Sequence, residues 1–116
     1  MEKFRVIVAY KDYFEKFLSR QPERVKAKIF KILNLVESQQ KIPDTYIKHI
    51  IGTDGLYETR FSIGNQHWRV FCFFDGDQLV ILLSGFQKKS VKTPRREIIR
   101  ALKLRKEYFH EKNRKK

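Results

Sequence analysis

The chain is poor in several residue types and motifs, and each shortage excludes a class of explanation. Its 116 residues include one cysteine, Cys72, so no internal disulfide can staple the fold and a packed core must hold it. Cys72 falls in an apolar alternation, where a small buried core residue is expected rather than a reactive thiol. The three histidines, His49, His67 and His110, have no metal-ligand spacing, and HExxH, CxxC and P-loop motifs are missing. No metal and no cofactor are therefore expected. A nucleophile elbow for a Ser/His/Asp hydrolase is also lacking. The apolar run at 79–83 is far too short to span a bilayer, and the charged opening segment MEKFRVIVAYKDY has no apolar stretch of signal-peptide length. A cytoplasmic protein without a membrane partner is expected. Acidic residues are the last shortage: 13 of them face 26 Lys and Arg, giving a formal net charge of +13. Such a surface repels itself, which points to a polyanionic partner such as nucleic acid, the ribosome or an acidic protein.

What the chain does contain is a core. Ten Phe, five Tyr and one Trp mark a folding sequence rather than a disordered one. Residues 4–10 alternate as a strand, and Phe14, Phe17 and Leu18 give a short helix over 11–20 its buried side. Pro22 suits the first turn of a second helix, along which Val25, Ile29, Leu33 and Val36 form one apolar stripe. Pro43 ends it, and 41–55 read as a connecting loop. Three strands follow, 56–63, 67–74 and 78–86, separated by the hairpin signals Gly64-Asn65 and Asp75-Gly76. Thr93 and Pro94 then open a last helix with Ile98, Ala101, Leu102, Tyr108 and Phe109 on its apolar side. The order is βααβββα, a single α+β domain with a mostly antiparallel sheet packed against helices. The domain covers 1–111, and a fraying basic tail is expected over 112–116.

Strand parity groups the cations. A two-residue Gly64-Asn65 turn sets Phe61 against Trp68 and Thr59 against Val70, making Tyr57, Phe61, Ile63, Trp68, Val70 and Cys72 one core face. The same register puts Arg60 directly opposite Arg69 on the other face, with Glu58, Ser62 and His67. Like charges directly opposed on a sheet destabilise it unless an anion lies between them. Beyond the Asp75-Gly76 turn, parity in the absence of a bulge brings Ser84, Phe86 and Lys88 to the Arg60/Arg69 face and sends Lys89 away. Guanidinium forks, an ammonium and aromatic rings together suit a phosphodiester with unstacked bases. Alternatively, Glu58 neutralises Arg60 and the face is an ordinary solvated sheet surface. Lys88, Lys89, Lys92, Arg95 and Arg96 place five cations in nine positions without an acid among them.

The segment GLYETRFSIGNQHWRVFCFFDGDQLVILLSGFQKKSVKTPRREIIRAL, residues 55–102, resembles the RelE/ParE toxin superfamily. The similarity is greatest to its HigB-like, phage-derived branch. The carrying pattern is Leu-Tyr-Glu-x-Arg, an Arg-Val-Phe strand, then Gly-Phe-x-Lys-Lys-x-x-Lys-Thr-Pro. The resemblance implies a type II toxin, an endoribonuclease that enters the ribosomal A site and cuts translated mRNA. The cut would be a metal-independent 2′-OH attack on the adjacent phosphate. By position, Arg69 matches the family's central-strand arginine, Arg60 lies near a basic position of the preceding strand, and Lys88 and Lys89 match the basic pair after the last strand. Glu58 stands where some relatives carry Lys, so it either acts as base or marks altered chemistry. Tyr108 and His110 fall in the C-terminal region where relatives keep catalytic aromatics or His. Lys92, Arg95, Arg96, Phe86 and His110 would hold RNA, and His67 is counted with the catalytic group. The implied partners are a HigA-like helix-turn-helix antitoxin, the ribosome and mRNA. The alternative reading is a ParE-like DNA gyrase poison, or an inactive nucleic-acid-binding relative.

Overall fold

The computed structural model describes residues 3–114. Eight elements follow in order: β1 (Val6–Ala9), α1 (Tyr13–Ser19), α2 (Glu23–Ser38), β2 (Ile47–His49), β3 (Tyr57–Ile63), β4 (Gln66–Asp75), β5 (Leu79–Lys88) and α3 (Arg95–Arg114). They form a small α+β domain whose five-stranded sheet has the order β1-β5-β4-β3-β2. Among the described residues, only the β1–β5 pairing is parallel. The expected order lacked β2, which lies inside the expected 41–55 loop and pairs Ile47, Lys48 and His49 with Thr59, Glu58 and Tyr57. Three residues are too few to show a period, so this strand is fixed by its partner rather than by its own pattern. Among the described residues, no helix is long and apolar enough to cross a membrane.

The central strands are buried on both faces, and alternation divides their side chains between two cores. Phe61, Trp68, Val70, Cys72, Val80 and Leu82 meet Phe14 and Phe17 of α1 and Val25, Ile29 and Ile32 of α2. Phe71, Phe73, Ile81 and Leu83 meet Ala101 and Leu104 of α3. Cys72 is fully buried, as a core residue should be. Gly85 faces the first core. A Cβ there would lie 2.7 Å from Phe17 ring carbons, so only glycine lets α1 settle this close to β5.

The β3–β4 hairpin has the expected register, with Ile63 paired to Gln66 across a two-residue turn. Gly64, at φ +57, takes the first central position that a II′ turn reserves for glycine. The β4–β5 hairpin differs. Asp75 pairs with Leu79, so the turn holds three residues rather than two, which reverses the parity of the start of β5. A bulge then inserts one extra residue of β5 between the Cys72–Leu82 and Val70–Gly85 pairs and reverses it again. The two departures cancel for Phe86 and Lys88, which pair with Arg69 and His67 on the expected face. Ser84 instead sits buried in the bulge.

Helix α3 is anchored at its far end. Tyr108 Oη donates to Asp75 Oδ2 at 2.7 Å, and Lys112 Nζ pairs with the same carboxylate at 2.8 Å. Glu107 accepts from Tyr10 Oη at 2.8 Å and pairs with Lys11, whose φ of +54 marks the β1–α1 corner. The helix therefore continues to Arg114, through part of the expected fraying tail. Cations in the last turn of a helix are favoured by its dipole. Residues 115–116 of that tail lie outside the described residues.

Two outcomes are expected. Gly85→Ala should overpack α1 against β5 and destabilise by about 1–3 kcal/mol, read as a lower denaturation midpoint; wild-type stability would refute the close approach of Phe17. Burial and the bond to Asp75 push the Tyr108 phenol up to about 12 from its usual 10. The folded state thus favours the protonated phenol, so its contribution is complete below pH 10 and is lost as pH rises towards 12. Tyr10, raised by burial and Glu107, acts in the same direction. Tyr108→Phe should flatten the alkaline decline of stability in denaturant titrations across that window, whereas a profile parallel to wild type would refute it.

Candidate nucleic-acid interface

The register arranges the open end of the second face in rows. Lys48, Glu58 and Phe71 form one row across β2, β3 and β4; Arg60, Arg69 and Phe86 form the next across β3, β4 and β5; Ser62, His67 and Lys88 form the last. Helix α3 covers the Phe71/Phe73 end of this face and leaves the arginine rows as its open margin.

Arg60 and Arg69 stand opposite one another as parity predicted, and the anion between them is supplied by the protein itself. Glu58 Oε2 lies 3.3 Å from Arg60 Nε and 2.7 Å from Arg69 Nε. Glu58 and Arg69 are 8% and 5% exposed, so this is a buried ion pair and neither partner could be removed cheaply. Arg69 Nη1 also donates to the Trp68 carbonyl at 3.0 Å. Burial pulls the Arg69 pKa down; the Glu58 carboxylate opposes that pull and Arg60 reinforces it. Arginine remains protonated at neutral pH even so.

Lys88 is half-buried beside the pair. Its pKa is lowered first by desolvation and then by the Arg69 charge, with Glu58 working the other way. Arg60, Arg69 and Lys88 together outnumber Glu58, so the neutralisation considered from sequence is real but incomplete. Exposed His67 sits at the margin, its Nδ1 2.7 Å from Ser62 Oγ.

Two open clefts of about 680 Å³ each flank Lys88. One is lined by His67, Arg69, Lys88 and Lys89, the other by Lys48, Glu58, Arg60, Lys88 and Lys92. Lys89 lies just past the end of β5 and is exposed, so it stands at a cleft margin rather than on the opposite sheet face. Volumes of this order are typical of ligand sites.

Other predicted residues are not gathered here. Tyr108 is bonded to Asp75, six residues along β4 from Arg69 and therefore about 20 Å away at strand rise. His110 is exposed two positions further along α3. Arg95 and Arg96 are exposed in the first turn of α3 and line neither cleft. Phe86 is half-buried and stacked on Phe71 at 5.6 Å, which commits its ring to the core of the second face. Lys48 was missed in the sequence because β2 was. The one signal available was the step from buried Ile47 to exposed Lys48, and exposed His49 does not continue the alternation.

Comparison with other proteins agrees with this architecture. A chain of the RelB–RelE antitoxin–toxin complex of Methanococcus jannaschii superposes with a TM-score of 0.53 at 23% identity, covering 75% of this chain and 99% of that one. A chain of the archaeal RelE–RelB complex of Pyrococcus horikoshii OT3 gives 0.53 at 13% identity, covering 76% and 99%. These likenesses show a shared RelE-like fold. No protein of curated function matches the chain by sequence. The family model of the phage-derived Gp49-like proteins (DUF891) matches residues 16–106, a span that contains the arginine rows, both clefts and most of α3. The chain belongs to the phage-derived Gp49-like family.

Proposed function

We propose that this protein is the toxin of a type II toxin–antitoxin pair and acts as a ribosome-dependent mRNA endoribonuclease in the cytoplasm. The observation that carries the reading is Arg60 facing Arg69, with Glu58 between them and Lys88 adjoining. Fold likeness to chains of toxin–antitoxin complexes supports it, as does the net charge of +13. That charge suits binding to ribosomal RNA through counterion release. A HigA-like helix-turn-helix antitoxin is the proposed partner in the resting complex.

The chemistry assigned to the site is transesterification. Arg60 and Arg69 hold the scissile phosphate, and entry of that phosphate draws them off Glu58. The freed carboxylate takes the 2′-OH proton as O2′ attacks phosphorus. Arg69, desolvated and fixed by the Trp68 carbonyl, stabilises the charge that develops on the phosphorane oxygens. The P–O5′ bond breaks with the proton delivered by Lys88, whose lowered pKa suits proton donation better than that of a free lysine. The products are a 2′,3′-cyclic phosphate and a 5′-hydroxyl. Lys89 and Lys92 at the cleft margins, with Arg95 and Arg96 beyond them, would hold flanking RNA.

One observation favours a second reading. The Glu58 ion pairs give both arginines a structural reason to be present, and a non-enzymatic poison of DNA gyrase would need nothing more. Mapping new 5′ ends in translated and untranslated copies of one message separates the two. Cuts are expected only in the translated copy, with the cleavage rate falling about 10²- to 10³-fold in Arg69→Ala. Growth arrest with intact message would overturn the ribonuclease reading.

A further inference from the structure

Two large aliphatic side chains, Ile51 and Val91, are 89% and 93% exposed, each at a loop corner held by a local side-chain hydrogen bond. Ile51 sits at the corner of a turn in which Thr53 N–H donates to the Ile50 carbonyl at 3.2 Å and Gly52 takes φ +87. Thr53 Oγ1 donates to the same carbonyl at 2.7 Å. Val91 is bracketed by Ser90 Oγ, which donates to the Lys92 carbonyl at 2.7 Å. Exposed turn corners ordinarily carry Gly, Pro, Asn, Asp or Ser. A single exposed aliphatic needs no explanation. Here two loops, forty residues apart in the chain, hold β-branched residues out from the core, and both line the cleft that contains Arg60, Lys88 and Lys92.

An apolar wall and a cationic wall in one cleft match a ligand that is apolar on one part and anionic on another. Basic residues alone would suit a bare phosphate, and aliphatic residues alone would suit a peptide side chain. A nucleotide unit has both parts: an uncharged ring face, attached to a phosphodiester. We infer that Ile51 and Val91 form an aliphatic clamp for an unstacked nucleobase of single-stranded RNA whose phosphate lies on Arg60 and Lys88. The inference rests on the ribonuclease reading for the identity of the phosphate site, and it adds the base contact. Aliphatic contacts read the face of a base and not its Watson–Crick edge, so the clamp grips any base and favours purines only through their larger area.

The test is fluorescence anisotropy with a labelled 2′-O-methyl RNA tetranucleotide and its counterpart carrying abasic sites on both sides of the central phosphate. Wild type is expected to bind the base-bearing oligomer about tenfold tighter than the abasic one, equal to about 1.4 kcal/mol. I51S/V91S should bind the two oligomers alike, keep the wild-type affinity for the abasic one, and melt at the wild-type temperature because both side chains are exposed. A wild type that does not distinguish the oligomers, or a variant that still does, overturns the clamp. So does a variant that keeps the distinction while losing a protein partner, which would make the pair a protein contact. Cleavage mapping tests the underlying ribonuclease reading independently. A wild type that cuts translated message without distinguishing the oligomers refutes only the clamp, and one that distinguishes them without cutting refutes only the ribonuclease reading.

Discussion

Two guanidinium groups face each other across adjacent strands, and the sheet tolerates them because a carboxylate lies between them. Opposed like charges cost a fraction of 1 kcal/mol at a wet surface and more where water is excluded. Arg69 is 5% exposed, so the opposition would be costly without Glu58. The arrangement follows directly from register: Glu58 and Arg60 are two apart on β3, and Arg69 is the partner of Arg60 on β4. The same geometry that resolves the repulsion leaves a positively charged surface, because Lys88 adds a further cation and, among the described residues, no second acid pairs with it there. Glu58 is thus the internal counterion and, in the proposed reaction, the group that an incoming phosphate replaces.

The fold keeps this surface open by covering only part of the sheet. Helices α1 and α2 close the first face over Phe61, Trp68, Val70 and Cys72. On the second face α3 is held at the Asp75 end by Tyr108 and Lys112 and packs over Phe71 and Phe73. The loops at 50–56 and 89–94 frame what remains, the first closed by several hydrogen bonds and the second bearing the bond from Ser90 Oγ to the Lys92 carbonyl. A rigid scaffold carrying loops at the edge of an uncovered sheet margin is a common way to present a binding surface.

Much of this was legible in the sequence because a strand alternates with period two. The Gly64-Asn65 turn fixed the β3–β4 register, and with it the Arg60–Arg69 opposition. The second hairpin shows the limit of that logic. Its turn is one residue longer than Asp75-Gly76 implies, and a β5 bulge compensates, so Lys88 reached its predicted face through two unforeseen steps. Neither step has a local signature in the sequence, and the bulge lies beside Gly85, whose close approach to Phe17 is a contact between residues distant in the chain. β2 was invisible for the same reason, being a strand only by virtue of β3. Tyr108 was grouped with the site on the resemblance of the C-terminal region alone, and helical position could not show that it would reach the Asp75 end of the sheet.

The most direct measurement is the thermal stability of wild type and Glu58→Gln, each titrated with inorganic phosphate at constant ionic strength. Removing one partner of a buried ion pair costs about 3–5 kcal/mol, so the variant should melt lower in chloride. Phosphate should then raise its Tm more steeply than that of wild type, by supplying the negative charge at Arg60 and Arg69 that the neutral glutamine lacks. A variant that melts with wild type, or whose Tm responds to phosphate no more than wild type does, would contradict the claim that the two arginines form an anion site held by Glu58.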